Sequence, residues 1–236
     1  MASESQHPES SPPADGDDDS VSRLPSAERL KAFTDAVVAI ALTLLILPLM
    51  DSVSESGRDV DSAWQWLQAE WTSVFTFVLS FVLIANFWRV HHQLFARVVR
   101  VTGALLWMTF LWLLAIVWLP VATAVAVTFP DDAAQSLIYV GSLFVASLIL
   151  AFTRMYLVRH PELHREPGMR GDILDGFLMA ASFLIALILM LAIPGIGYWA
   201  MTVLFIIPAA KGTWDGFRER RTSAQNRQDA TSGPIG

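Results

Sequence analysis

The sequence predicts an all-α integral membrane protein with six transmembrane helices per subunit. Three observations carry this. The 236 residues are 54% hydrophobic with a mean hydropathy of +0.47, yet only 16% are charged. A soluble domain of this size cannot cover itself with so few charges. The apolar residues come in stretches of about 20, roughly the length that crosses a ~30 Å hydrocarbon core. No alternation of apolar and polar residues competes, as a closed barrel would require.

The elements follow in chain order. Residues 1–27 hold Glu4, Glu9, Asp15, Asp17, Asp18 and Asp19 against Arg23 alone, with seven serines and four prolines. Such a segment cannot bury enough apolar area to fold, so a disordered, acidic cytoplasmic tail is expected. Lacking a basic start and an apolar centre, it is no signal peptide. A membrane domain over 28–211 then holds six spans: Leu30–Met50, Thr72–Gln93, Thr102–Phe129, Gln135–Leu157, Ile173–Ile193 and Ile196–Ala210. Pro194-Gly195 makes the last two a tight helical hairpin. Residues 212–236 form a basic cytoplasmic tail that stops transfer, with Arg218, Arg220 and Arg221 able to meet anionic lipid.

The basic residues set the orientation. With the amino terminus inside, fifteen of the sixteen lysines and arginines fall in inner segments and Arg58 alone lies outside. Trp64, Trp66, Trp71, Trp118 and Trp199 then gather at the outer interface as an aromatic belt. Both termini are expected in the cytoplasm, and the expected bilayer is the plasma membrane. The absence of cysteine excludes disulfides, thiolate metal sites and a cysteine nucleophile.

The first span carries unusual chemistry. Asp35 stands within the opening turns of a strongly apolar helix, where an acid must face protein or water, or lie near the headgroups neutralising Arg29 or Lys31. Both readings are open from the residues alone. Ile40, Thr43, Leu44 and Leu47 follow i, i+3, i+4, i+7 and share one stripe. Asp35 points about 140° away from Ile40, toward a different face with Ala39 and Leu42. The stripe is either a lining surface or ordinary lipid-facing or core surface. A second polar cluster, Asn86-Phe87-Trp88-Arg89-Val90-His91-His92-Gln93, closes the second span level with Asp35. Asn86, His91 and His92 are the expected hydrogen-bond partners of its carboxylate. Adjacent histidines diverge on a helix, so a shared metal is not expected.

The run Arg29 to Pro48, together with Asn86 to Phe95, resembles the transmembrane-protein-175 family of potassium-permeable channels. That family carries an arginine, a Phe-Ser-Asp motif and an Ala-Ile-Ala-x-Thr-Leu-Leu run on its first helix. This chain reads Arg29, Phe33-Thr34-Asp35 and Ala39-Ile40-Ala41-Leu42-Thr43-Leu44-Leu45, and Trp88, His91 and His92 match a Trp-x-x-His-His pattern. Thr34 replaces the serine and keeps the hydroxyl. The resemblance implies a potassium-permeable cation channel whose pore is lined by the first helix. Ile40 would be the hydrophobic constriction, with Leu44 and Leu47 continuing the pore face and Thr43 contributing to potassium preference. Arg29, Phe33, Thr34, Asp35, Asn86, Trp88, His91 and His92 would form a structural network holding the helices together. One motif copy per chain implies a homotetramer around a central pore.

Other motifs carry less. Gly195-Ile-Gly197-Tyr198 resembles part of a potassium filter, but the short Pro194-Gly195 link between the last two spans leaves no room for a re-entrant P-loop. His160 and His164 flank Pro161 in an inner loop and make a poor metal pair. With no nucleophile elbow, phosphate loop or dinucleotide fingerprint, no enzymatic activity is expected. Nor is a resident metal, a cofactor or a nucleic-acid partner. Monovalent cations, K+ above all, would be the permeant species. The competing function is a proton-coupled secondary transporter using Asp35 with His91 or His92 as a relay.

Overall fold

A computed structural model describes residues 26–56, 60–129, 132–163 and 173–192. The tails, the Ile196–Ala210 span, the Pro194-Gly195 turn, Arg58 and His164 lie outside the described residues. Within them the chain is helical: α1 Ala27–Leu44, α2 Leu47–Ser56, α3 Ala63–Ala69, α4 Trp71–Phe95, α5 Gly103–Thr128, α6 Ala133–Arg159, a 3-10 turn Pro161–Leu163, and α7 Ile173–Ala192. Four stretches are long and apolar enough to cross a membrane: Ala27–Glu55, Trp71–Phe95, Gly103–Thr128 and Ala133–Arg159. The protein is therefore a multi-pass membrane protein. The apolar part of α7, Gly176–Ala192, is shorter than these.

Capping side chains set the helix starts. Ser26 Oγ accepts from the Arg29 N–H at 3.4 Å, Thr102 Oγ1 from the Leu105 N–H at 3.2 Å, and Asp132 Oδ1 from the Gln135 N–H at 2.7 Å. Each hydroxyl or carboxylate satisfies an amide that the first helical turn leaves without a carbonyl.

Two departures from the expected spans have local causes. The first span was expected to run unbroken to Met50. It breaks at Leu45-Ile46 and resumes as α2, because Pro48 has no N–H for the Leu44 carbonyl and its ring crowds that carbonyl. The second departure is α3, a helix lying between the first two expected spans. Ser62 Oγ accepts from the Gln65 N–H at 3.2 Å, and Gln65 Oε1 accepts from the Asp61 N–H at 2.9 Å. This Ser-x-x-Gln pairing is close to a capping box and nucleates a seven-residue helix.

The core runs between α4, α5 and α6, where Ile84, Phe87, Trp112, Ile116, Leu119, Tyr139 and Leu143 are buried. A polar clasp ties the three helices together. Ser80 Oγ lies 2.8 Å from the Tyr139 hydroxyl, and Thr123 Oγ1 donates to Ser80 Oγ at 3.0 Å. All three residues are buried where neither lipid nor water supplies hydrogen bonds, and Thr123 Oγ1 also has the Leu119 carbonyl at 2.9 Å within its own helix. At the other end of the bundle, the Val99 N–H donates to the Leu163 carbonyl at 3.0 Å, joining the α4–α5 connection to the 3-10 turn. Helix α7 packs on α6, and α1 packs on α4 and α5.

Candidate functional site

Helix α1 has two unlike faces. Ala27, Leu30, Thr34, Val38, Ala41 and Leu45 are buried, at spacings of three and four that follow one helical stripe. This is the side seated on α4 and α5. Thr34 fits there because its Oγ1 donates to the Leu30 carbonyl at 2.9 Å, satisfying the hydroxyl within the helix. The opposite face carries Phe33, Ala36, Ala39, Ile40, Thr43, Leu44 and Leu47, all exposed in the single chain. Ile40 is 58% exposed and Leu47 53%.

Thr43 is the one polar side chain on that face between Phe33 and Leu47. Its Oγ1 donates to the Ile40 carbonyl at 2.7 Å. With the hydroxyl hydrogen committed to the backbone, the exposed oxygen is left with acceptor capacity alone. An oxygen held this way suits a cation and not an anion.

Asp35 leaves the exposed arc, as its spacing from Ile40 requires, whereas Ala39, expected on the Asp35 face, is exposed with Ile40. Trp88 Nε1 donates to Asp35 Oδ1 at 2.8 Å, joining α4 to α1. His92 Nδ1 lies 4.0 Å from the same oxygen, and the His92 and Trp88 ring centroids are 5.4 Å apart. Lys31, a candidate to neutralise Asp35, pairs instead with Glu28 at 3.1 Å. Arg29 stands exposed in the first turn of α1, its backbone N–H directed to Ser26.

The expected partners of Asp35 are thus partly replaced. Asn86 Oδ1 accepts from Arg89 Nη2 at 2.9 Å, because residues three apart share a helix surface. His91 is buried and stacked between Phe95 and Trp112, with ring centroids 4.3 Å away on either side. The helical pitch that turns Trp88 and His92 toward α1 turns His91 toward α5. A relay through both Asp35 and His91 therefore has no direct contact to use. The i, i+4 spacing of Trp88 and His92 was the available signal that these two act together. Phe33, expected in the same network, is instead half exposed and meets Phe110 edge to face at 6.1 Å.

Sequence reasoning missed the Ser80, Thr123 and Tyr139 clasp, since residues 59 positions apart meet only through helix packing. Among the described residues no group of three or more histidine, aspartate or glutamate side chains is placed to hold a metal.

Residues 29–120 match the family described as the endosomal/lysosomal potassium channel TMEM175. A potassium channel of Streptomyces collinus is 35% identical over 130 residues, covering 54% of this chain and 62% of that protein. The endosomal/lysosomal proton channel TMEM175 of Homo sapiens is 24% identical over 221 residues, covering 89% of this chain and 43% of the human one. The chain spans under two thirds of the length of these curated relatives. The crystal structure of a lysosomal potassium-selective channel TMEM175 homologue from Chamaesiphon minutus matches with a TM-score of 0.61 at 22% identity, over 77% of this chain and 93% of that one. At that identity the likeness is one of fold.

Proposed function

Because residues 29–120 match the TMEM175 family, we propose that this chain is one subunit of a potassium-permeable channel of that family, conducting ions passively and catalysing no reaction. The observation that carries this is the free face of α1. A membrane-crossing helix seated on one side exposes an apolar stripe on the other, interrupted by the single hydroxyl of Thr43. Four such faces around one axis make a pore, and one motif per chain makes the assembly a homotetramer. The six-span plan, with both termini cytoplasmic in the plasma membrane, completes the subunit.

Ile40 lies near the middle of the expected first span and forms the constriction, with Leu44 and Leu47 lining the next turns. A narrow isoleucine ring holds no water, so ions meet a barrier of lost hydration without any repelling charge. Opening requires the helices to rotate or spread until the ring wets. Thr43 offers a partial replacement for the hydration shell of a passing ion. The Asp35 and Trp88 contact fixes the rotation of α1 about its axis, which decides what faces the pore.

The bacterial relative's name favours potassium, and the animal relatives are named proton channels. Purified protein in planar bilayers, under unequal potassium, sodium and proton gradients, separates the two ions. The potassium reading requires a current reversing near the potassium Nernst potential. Reversal at the proton potential would replace it with proton conduction, and absence of current without a coupled solute would favour the transporter.

A further inference from the structure

We propose that Phe33 forms an aromatic collar at the Ala27 end of the pore that binds organic monocations by their charge, above all quaternary ammonium ions. The proposal rests on the reading that four α1 helices surround the conduction path. Phe33 and Ile40 are seven residues apart, which falls about 20° short of two full turns. The two side chains therefore share one face of α1, with the Phe33 ring about 10 Å nearer the helix start. The ring is 50% exposed in the single chain, beside Ile40 at 58%. Phe33 is the one aromatic residue on an arc otherwise built from Ala36, Ile40, Thr43, Leu44 and Leu47.

A second observation fixes the ring in place. Phe33 and Phe110 meet at 85° with centroids 6.1 Å apart, and Phe110 meets Trp107 at 82° and 6.1 Å. Edge-to-face pairs of this kind are favourable and directional. The chain of rings along α5 thus holds Phe33 while leaving half of it uncovered. Four rings converging on an axis present π-electron density to whatever enters. Cations are drawn to such a site, and quaternary ammonium ions are well suited because they lose little hydration there. The Ile40 ring beyond is too narrow for such a molecule, so it would lodge at the collar and block. Arg29 lies one turn farther out on the same face. Its charge lowers the affinity for any entering cation in wild type and variants alike, and leaves the ratio between them to Phe33.

Tetrapropylammonium block in planar bilayers tests this, with the blocker added to each side in turn. Block should come from the cytoplasmic side, where α1 begins in the proposed topology. Phe33→Leu, which keeps an apolar side chain and removes the ring, should weaken block about tenfold. Phe33→Tyr should retain block and Phe33→Trp should tighten it, which a purely packing role does not predict. Size-exclusion elution matching wild type confirms assembly of each variant, and the Tyr and Trp arms carry the test if the Leu variant fails to assemble. Unchanged block in Phe33→Leu, equal loss in Phe33→Tyr, or block from the outer side alone would overturn the collar. Ile40→Asn, recorded in the same bilayers, separates the two ideas. If it raises the current while Phe33→Leu leaves block unchanged, the collar falls and the pore stands. If it leaves the current unchanged while Phe33→Leu weakens block, the constriction lies elsewhere on the path and the collar stands.

Discussion

Removing the indole N–H of Trp88 tests how α1 is held. Trp88→Phe keeps an aromatic ring beside His92 and deletes the donor that lies 2.8 Å from Asp35 Oδ1. A hydrogen bond to a charged acceptor contributes roughly 1.5–3 kcal/mol when shielded. Here the Asp35 side chain is 44% exposed and Trp88 is 37% exposed, which lowers the expected value to about 1 kcal/mol. For a chain of this length that corresponds to roughly 2–4 °C in melting temperature. The value belongs to the pair, so a double-mutant cycle with Asp35→Ala isolates it. Melting of the detergent-solubilised protein, followed by size-exclusion chromatography, should show each single variant destabilised. The double variant should be less destabilised than the sum of the two. Additive losses, with no coupling beyond about 0.3 kcal/mol, would refute the clasp. A shift of the potassium-to-sodium reversal potential in Trp88→Phe at unchanged stability would instead make this pair part of the conduction path.

Further expectations follow from the same geometry. Ile40→Asn keeps a similar side-chain size and offers hydrogen bonds to water, so leak current or open probability should rise with the fold intact, whereas Ile46→Asn should have no such effect. Equal currents from comparable amounts of assembled wild type and Ile40→Asn would place the constriction elsewhere. Thr43→Ala should lower the potassium-to-sodium permeability ratio while conduction persists, and an unchanged ratio removes Thr43 from selectivity. In this cysteine-free chain, Ser54→Cys should label from outside and Ser223→Cys should not; the reverse would invert the topology. Gly176→Val should destabilise by about 1–3 kcal/mol in the same melting assay. Even a methyl group at that position would lie 3.2 Å from the Ala151 backbone of α6, and a normal melt would show that α6 and α7 separate freely.

Much of this protein was legible in its residues. The all-helical class and the approximate positions of α1, α4, α5, α6 and α7 come from apolar run length, because lipid cannot satisfy an open backbone. The separation of Asp35 from Ile40 follows from helical pitch, which needs no knowledge of neighbours. The short α3 and the break before α2 were not expected, although Ser62, Gln65 and Pro48 carry the local signals for them. Family motifs pointed to Asp35, Trp88 and the histidines as a group, yet the residues alone could not assign partners. Asn86, Trp88, His91 and His92 sit within two turns of one helix, and any of them can reach a neighbour on some side. Only the packing of α1, α4 and α5 against one another decides that Trp88 and His92 meet Asp35, that His91 is enclosed by Phe95 and Trp112, and that Phe33 stays open beside Phe110. The Ser80, Thr123 and Tyr139 clasp belongs to the same class. Pitch and hydropathy act within one helix, while pairing across helices depends on their relative rotation, which the packing of whole faces sets.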